Sequence, residues 1–182
     1  MVQQDTEISW LTSAEAVARA DRVSQIYQAA LGHPDSARDH FRRTFQDCMA
    51  SYEGATCLVA RADGDIVGFL YGFDFVAGHW WPDQITPAMA EHGHQGWLAD
   101  TLEIVEVEVD PAYQGRGIGT ALLRTQLGAM TQRQALLATK PDNPARRLYG
   151  RLGFLELLPD FVYPGSDYAA VIMGWRPAVV GT

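Results

Sequence analysis

The sequence predicts a single α/β (α+β) domain spanning residues 1–182, in which a mixed central sheet carries helices on both of its faces. Three observations lead to this prediction. Two amphipathic helical patterns come first, a strand-turn-strand pattern follows them, and the second half of the chain alternates strands with helices. With 182 residues, of which 47% are hydrophobic, the chain is long enough to bury one substantial core.

Two helices are predicted near the start of the chain. Thr12 and Glu15 have the spacing of a capping box, and the helix that they open has one apolar face, formed by Val23, Ile26, Tyr27 and Ala30. Ser36 can cap a second helix, whose apolar stripe consists of Phe41, Phe45, Cys48 and Tyr52. Residues 1–10 lack the basic-then-apolar pattern of a signal peptide, so we expect a cytoplasmic protein.

A hairpin and an alternating region follow. Strands at 56–60 and 66–75 are joined by a turn containing Asp63-Gly64, a pair that favours tight hairpins. The stretch 74–101 shows no regular pattern and is expected to be an inserted loop. The remaining elements are predicted as strand 102–109, helix 118–130, strand 135–139, helix 144–152, and strands 154–158 and 168–175.

The net charge, the apolar runs and the cysteines of the chain indicate its general class. The net charge of −8 argues against binding to nucleic acid or to an anionic membrane, both of which require a basic face. No apolar run approaches the roughly 18 residues of a membrane span. Cys48 and Cys57 are isolated in the sequence and are expected to be buried and reduced.

The most informative segment is a glycine-rich turn between strand 102–109 and helix 118–130. Pro111 cannot donate to a strand ladder, so the strand should end before it. Gly115, Gly117 and Gly119 then bring the chain into a helix whose first backbone N–H groups have no acceptor within the helix. Such a group of amides binds an anion, most naturally a phosphate or pyrophosphate.

Three nucleotide-binding patterns compete for this turn. A phosphate-binding loop of the Walker A type needs a Gly-Lys-Ser/Thr ending, whereas the single lysine, Lys140, lies far from the turn. A dinucleotide fingerprint needs G-x-G-x-x-G, and Thr120 stands where its last glycine belongs. The third pattern, Gln/Arg-x-x-Gly-x-Gly/Ala after a Val-x-Val-x-Pro strand end, is met by Gln114, Gly117 and Gly119.

On this third pattern the chain resembles the GNAT superfamily of acetyl-CoA-dependent N-acetyltransferases. A second motif supports the resemblance: residues 143–154, Asn-Pro-Ala-Arg-Arg-Leu-Tyr-Gly-Arg-Leu-Gly-Phe, are similar to the family's Asn…Leu-Tyr-x-x-x-Gly-Phe segment. The resemblance implies a GNAT-like fold, acetyl-CoA as co-substrate and transfer of the acetyl group to a primary amine of a small molecule or peptide. Many family members also form homodimers.

The resemblance also implies which residues hold the cofactor. The pyrophosphate would lie at the turn, and the backbone of the preceding strand would pair with the pantetheine amides. The residues concerned are Val107, Glu108, Val109, Gln114, Gly115, Arg116, Gly117, Ile118, Gly119 and Thr120. The side chain of Arg116 is an open case, because a glycine loop binds phosphate through its amides alone.

Tyr149 and Asn143 belong to the second motif. By resemblance, the Tyr149 phenol would protonate the departing CoA thiolate, although a buried tyrosine on a short helix also commonly has a packing role alone. Asn143 would be both a helix cap and a cofactor contact. In many family members the asparagine lies one residue further from the tyrosine, where this chain has Asp142, so the capping role is favoured.

Three glutamates on strand 102–109 are candidates for the general base. Strand alternation places Glu106 and Glu108 opposite a valine face, whereas Glu103 shares that face unless a β-bulge shifts the alternation. By resemblance, Glu103 matches the base of the histone-acetylating branch and Glu106 a glutamate of small-molecule members. We expect Glu106 first and Glu103 second, and a carboxyl group that only solvates the strand remains the alternative.

The stretch 74–101 is rich in tryptophan and histidine. We expect it to form a wall of the acceptor site, while an apolar cluster under a loop or a dimer contact is the competing interpretation. His92 and His94 have no partner cysteines and no HExxH spacing, so no metal site is predicted. Two other functions stay open: an acyltransferase with another acyl donor or an O-acceptor, and a non-catalytic acyl-CoA sensor.

Overall fold

The computed structural model describes residues 6–178 of the chain, which contain seven strands and six α-helices. Its strands are β1 (Glu7–Leu11), β2 (Thr56–Ala62), β3 (Asp65–Asp74), β4 (Thr101–Val109), β5 (Gln134–Thr139), β6 (Leu155–Val162) and β7 (Ala169–Trp175). Its α-helices are α1 (Ser13–Ala18), α2 (Ala20–Leu31), α3 (Asp35–Ser51), α4 (Trp80–Glu91), α5 (Ile118–Ala129) and α6 (Ala145–Arg151).

The strands form one mixed sheet in the order β1-β2-β3-β4-β5-β7-β6. β4 and β5 run parallel, and the pairs β1·β2, β2·β3, β5·β7 and β6·β7 are antiparallel. This mixed sheet with helices confirms the predicted fold class. The chain divides into two compact units, residues 6–73 with 105–129 and residues 74–104 with 130–178.

In the first unit, the core is formed by α1, α2 and α3 together with β2 and β3. Its buried members include Val23, Ile26, Phe41, Phe45 and Cys48, as the helical patterns predicted. The Asp63-Gly64 hairpin is also confirmed, because both turn residues have positive φ angles, 51° and 86°. Cys48 and Cys57 are both buried and are not joined by a disulfide.

The first predicted helix is two helices in the structure. The capping box is confirmed: Thr12 Oγ1 accepts from Glu15 N at 3.2 Å, and Thr12 N donates to the Glu15 carboxylate at 2.8 Å. The helix is then interrupted at Arg19, whose φ of −97° and ψ of 4° leave the helical range. The apolar periodicity of the sequence continues across Arg19, so the periodicity alone did not reveal the interruption.

One further prediction near the N-terminus was wrong, and one element was missed. Ser36 does not cap α3, because Pro34 occupies the N-cap position and its carbonyl accepts from the amides of Ala37 and Arg38. β1 was not predicted at all. It is a partly exposed strand, and its identity depends on antiparallel pairing with β2, from Glu7 opposite Arg61 to Leu11 opposite Cys57.

The second unit contains an apolar cluster in which α4 packs with β5, β6 and β7. The stretch 74–101 is therefore not an irregular loop as predicted, since α4 occupies twelve of its residues. Trp81, Ile85 and Met89 recur at helical spacing and are buried in this cluster. Pro87 lies inside the helix and removes one backbone hydrogen bond, so the burial of these side chains has to stabilise α4.

The C-terminal elements follow the predicted order, with one strand longer than expected. β6 continues from the predicted end at 158 to Val162, and its pairing with β7 shifts register around Pro159. Pro159 has no backbone N–H for the ladder, and β6 is the edge strand where such a residue is tolerated. The strand therefore extends past Pro159, beyond the predicted end at residue 158.

Candidate functional site

The glycine-rich turn lies between β4 and α5, in the first unit. The Asp110 carboxylate accepts a hydrogen bond from Ala112 N at 3.1 Å and opens a short 3₁₀ turn, Pro111–Tyr113. Gly115 and Gly117 follow with φ angles of 75° and 82°, which only glycine adopts without strain. Apart from the adjoining residues, no atom of residues 6–178 lies within 4 Å of the position where a Cβ would stand at either glycine, so the space beside them is open.

The start of α5 has the backbone donors that an anion needs. The first hydrogen bond of the helix runs from Ala121 N to Gly117 O at 3.0 Å. The amides of Ile118, Gly119 and Thr120 therefore have no acceptor within the helix. Together with the positive end of the helix dipole, these amides make the turn suitable for a phosphate group.

Two side chains of the turn bind the turn itself. Gln114 Nε2 donates to Val109 O at 3.0 Å, and Arg116 Nη2 donates to Ala112 O at 3.0 Å. The Arg116 guanidinium also lies 4.9 Å from the ring centre of Tyr113. Both side chains thus help to fix the backbone conformation that presents the amides.

An ion pair fixes the entry to the turn, and the sequence analysis did not identify it. Arg22 on α2 contacts Asp110 at 2.9 Å and also donates to Ile66 O at 2.8 Å. Asp110 N in turn donates to Val67 O at 2.8 Å. Asp110 and Arg22 are far apart in the chain, so only tertiary structure could reveal this contact.

Glu106 and Glu108 form a carboxyl pair on β4. They are two residues apart in a strand, so their side chains share a face, and they hydrogen bond to each other. Burial raises the pKa of Glu106, and the charge of Glu108 together with their shared hydrogen bond raises it further; burial also raises the pKa of Glu108. Such a pair holds one proton into the neutral range and leaves one carboxylate as an acceptor.

β4 contains one extra residue relative to β3. Phe75 N donates to Thr101 O at 2.9 Å, and Asp110 N donates to Val67 O at 2.8 Å. Regular antiparallel pairing would require the same number of residues on both sides between these two hydrogen bonds, but the β4 side has one residue more than the β3 side. Between these two hydrogen bonds β4 therefore contains a β-bulge.

Glu103 is buried in the second unit. It is 5% exposed, and its Oε2 atom has no hydrogen-bond partner among residues 6–178. Burial raises its pKa to about 8. Its register partner on the parallel strand β5 is Leu136, so Glu103 shares the sheet face on which Leu136 packs in the α4 cluster.

Tyr149 and Asn143 also lie in the second unit. Tyr149 is 7% exposed, and its ring centre lies 5.7 Å from that of Phe154 at a tilt of 58°. Asn143 Oδ1 accepts a hydrogen bond from Ala145 N at 2.9 Å, and Pro144 follows it with a helical φ of −60°. The N-cap position of α6 is held by Pro144 and not by Asn143 as predicted, and Asn143 instead binds the amide of Ala145, the first residue of the helix.

The structure also assembles an aromatic cluster that the sequence analysis did not predict. Trp80 and Trp81 of α4 both contact Tyr163, which follows β6. The sequence showed that tryptophans are frequent in the stretch 74–101. No sequence pattern indicated Tyr163, because the tryptophans that it contacts lie far from it in the chain. Within residues 6–178 there is no group of three or more metal-ligating side chains, and no helix has the length and apolar character to cross a bilayer.

Comparison with known proteins identifies the family. The profile of the acetyltransferase (GNAT) family matches residues 20–154, which include the glycine-rich turn, the β4 glutamates and Tyr149. The chain belongs to this family. The predicted family membership is confirmed, and with it an acyltransferase enzyme that uses acetyl-CoA as co-substrate.

Relatives and solved structures agree with this assignment. The chain is 30% identical over 158 residues to a GCN5-like protein acetyltransferase of Mycobacterium tuberculosis, covering 75% of this chain and 77% of the relative. It is 29% identical to an N-alpha-acetyltransferase of Sulfurisphaera tokodaii, covering 81% and 82%. The ribosomal-protein-S18-alanine N-acetyltransferase of Escherichia coli has the same fold, with a TM-score of 0.64, 20% identity and 97% of each chain covered.

Proposed function

We propose that this protein transfers the acetyl group of acetyl-CoA to a primary amine of a small molecule or peptide, and that residues 1–182 form one acetyltransferase domain. The observation that carries the proposal is the turn of residues 115–120, with open space beside two glycines and three helix amides without an intrahelical acceptor. A pyrophosphate supplies the negative oxygens that these donors require.

The cofactor is held largely by backbone groups. The pyrophosphate binds at residues 115–120, with Gln114 and Arg116 keeping the turn in its conformation. Val107, Glu108 and Val109 offer their backbone to the pantetheine amides in the manner of an added strand. Asn143 contributes by fixing the start of α6, the helix that carries Tyr149.

The chemistry requires the acceptor ammonium to lose two protons on its way to the amide and the CoA thiolate to gain one. Glu106, paired with Glu108, takes the first proton of the acceptor ammonium, with Glu103 as the second candidate. The neutral nitrogen then attacks the thioester carbonyl, so that a C–N bond forms, and the C–S bond breaks as Tyr149 donates its phenolic proton to the departing CoA thiolate. The nitrogen releases its second proton as the amide forms, and this proton restores the Tyr149 phenol, while CoA leaves as the free thiol.

Amine acceptors are supported by the names of the relatives. These name a protein acetyltransferase, an N-alpha-acetyltransferase and, at 29% identity, a mycothiol acetyltransferase of Acidothermus cellulolyticus. Two structures of the same fold are of proteins in complex with coenzyme A or with acetyl-CoA. We propose that α4 and the rest of the stretch 74–101 form a wall of the acceptor site.

A first experiment tests the cofactor turn. Gly117→Asp adds a side chain and a negative charge where the phosphates bind, so we expect the affinity for CoA to fall more than about tenfold, or ~1.4 kcal/mol. Gly64→Asp is the matched control, because Gly64 also has a positive φ and open space around it but lies in the β2–β3 hairpin. Titration calorimetry measures both variants.

A second measurement tests the reaction itself. Thiol release from acetyl-CoA is followed with a panel of primary amines that includes small amines, polyamines and peptides with free N-termini. We expect at least one amine to stimulate thiol release and to gain an acetyl group detected by mass spectrometry. CoA binding without acetylation of any amine would support the sensor alternative, and equal affinity in Gly117→Asp would remove the turn from the site.

A further inference from the structure

A series of hydrogen bonds leads from α2 to the glycine-rich turn, entirely within the first unit. Arg22 of α2 uses two of its nitrogens: Nη2 donates to Asp110 Oδ2 at 2.9 Å, and Nε donates to Ile66 O at 2.8 Å. Ile66 lies at the start of β3, and Asp110 directly follows β4. One arginine side chain therefore fixes where the end of β4 lies relative to the start of β3.

Asp110 passes this constraint on to the turn. Its Oδ2 atom contacts Arg22, while its Oδ1 atom accepts from Ala112 N at 3.1 Å. Its backbone is bound as well, because Asp110 N donates to Val67 O and Tyr113 N donates to Asp110 O, both at 2.8 Å. Both carboxylate oxygens and both backbone groups of Asp110 thus have partners, which hold this residue in one position.

The rest of the turn is tied to residues close to this fixed point. Ala112 O accepts from Arg116 Nη2 at 3.0 Å, and Val109 O accepts from Gln114 Nε2 at 3.0 Å. Gln114 and Arg116 stand on either side of Gly115, so both of these contacts fix the position of that glycine. The hydrogen bonds therefore form an unbroken series from α2 to the first glycine of the turn.

The ion pair is also protected from water. The side chain of Arg22 is 35% exposed and that of Asp110 is 22% exposed. Without the arginine, a mostly buried carboxylate would lose its ionic partner and would favour conformations that reach water, which breaks its bond to Ala112 N. An asparagine at the same position is neutral, so it does not need that partner and still accepts from the amide.

We propose that Arg22 is a positioning residue of the cofactor site, and that its contact with Asp110 sets the affinity of the turn for the pyrophosphate of CoA. This proposal rests on the proposed binding of the pyrophosphate at residues 115–120. The amides of the turn bind an anion best when they are already in place, because binding then requires no ordering of the turn. Loss of the Arg22 contact therefore lowers affinity without removing any group that reacts.

A double-mutant cycle tests the proposal. Titration calorimetry gives the dissociation constant of CoA for the wild type, Arg22→Gln, Asp110→Asn and the double variant. Arg22→Gln should weaken CoA binding at least about fivefold, since the turn loses its preorganisation. The double variant should bind CoA within about twofold of the wild type, because the neutral amide of Asp110→Asn needs no ionic partner. A general loss of packing at Arg22 would not be repaired by a second substitution.

Kinetics provide an independent measurement and a matched control. With an amine that the enzyme acetylates, Arg22→Gln should raise the KM for acetyl-CoA and leave kcat unchanged. Arg42→Gln is the control: Arg42 lies on α3 in the same unit, its side chain is also 35% exposed, and it pairs with Asp21 at 3.5 Å. This variant should have the CoA affinity and the KM of the wild type.

The outcomes separate the role of Arg22 from the proposed function. CoA affinity in Arg22→Gln equal to that of the wild type would overturn the positioning role, and so would a double variant that binds as weakly as Arg22→Gln. Either result, combined with weaker CoA binding in Gly117→Asp, would leave the turn as the pyrophosphate site and remove only Arg22 from it. Unchanged affinity in Gly117→Asp would instead overturn the proposed pyrophosphate site.

Discussion

At the scale of single residues, the Tyr149 ring and its hydroxyl can be tested separately. Because the ring packs near Phe154, Tyr149→Phe retains that packing and removes only the proton donor. We expect kcat to fall roughly 10²-fold, with the dissociation constant of CoA unchanged. Steady-state kinetics and calorimetry provide the two measurements. Tyr27→Phe, which keeps the stack of Tyr27 on Phe41 in the first unit, is the control, and normal turnover by the Tyr149 variant would make the tyrosine structural.

The pairing of Glu106 with Glu108 leads to a prediction about pH. With Glu106 as the base, kcat/KM rises with pH as the Glu106 carboxyl group loses its proton, which gives the pH profile an acidic limb. Glu106→Gln should flatten this limb. Glu108 raises the pKa of Glu106 by its charge and its hydrogen bond. Glu108→Gln should therefore move the limb to lower pH, a shift that a purely structural role would not produce.

A comparison of variants decides between the candidate bases. The pH profile of kcat/KM is measured for Glu106→Gln, Glu108→Gln and Glu103→Gln. A limb that disappears only in Glu103→Gln would assign the base to Glu103. Profiles that match the wild type in all three would remove the carboxyl groups from proton transfer, and the enzyme would then act by positioning the neutral amine.

At the scale of elements, β7 depends on a glycine that no sequence pattern singled out. A Cβ at Gly174 would lie 2.8 Å from the Trp97 ring and 2.7 Å from Leu157 Cδ1. Leu157 can move, but Trp97 is held because the Arg176 guanidinium lies 3.8 Å above its ring and Arg176 also donates to Gln134 and Gly96. The contact therefore joins β7 to the segment that precedes β4.

This close approach predicts a loss of stability on a small substitution. Gly174→Ala should lower the free energy of unfolding by about 1–3 kcal/mol through overpacking. Gly128→Ala is the control: Gly128 is in α5 with nothing near its Cβ position, so alanine should stabilise by up to about 1 kcal/mol. Urea denaturation measures both, and a Gly174 variant as stable as the wild type would show that Trp97 relaxes freely.

The elements also show what periodicity can predict. Capping boxes, hairpin turns and apolar stripes depend on neighbours in sequence, and the Thr12 capping box and the Asp63-Gly64 hairpin were correctly predicted. The helical spacing of Trp81, Ile85 and Met89 in α4 was missed, and Pro87 inside the helix is intrinsically unfavourable. The burial of those three side chains outweighed the proline penalty, and burial is not visible in the sequence.

At the scale of the whole molecule, stability should fall as pH rises above the acidic range. The pKa values of Glu103, Glu106 and Glu108 are raised in the folded protein, that of Glu103 from 4.5 to about 8. Between those values the folded state holds a proton on Glu103 that the unfolded state has lost, so its contribution is complete below pH 4.5 and is lost as pH approaches 8.

The measurement is thermal unfolding at several values from pH 5 to pH 9. The Glu103→Gln variant carries a neutral side chain at every pH, so its unfolding temperature should decline less steeply than that of the wild type. Glu7→Gln is the control, because Glu7 is exposed at the end of β1. Equal slopes in the wild type and in Glu103→Gln would show that Glu103 is ionised when folded.

The sequence by itself determined the family, the order of the main elements and the glycine-rich turn. These depend on local spacing: Gly115 and Gly117 need positive φ angles, and the amides that follow belong to the start of α5. Tertiary structure alone decided that Arg22 holds Asp110, that Glu103 Oε2 is buried with no hydrogen-bond partner within residues 6–178, and that Trp80 stacks on Tyr163. Each of these depends on residues distant in the chain, whose encounter is set by how the sheet and helices pack, so no local pattern could encode it.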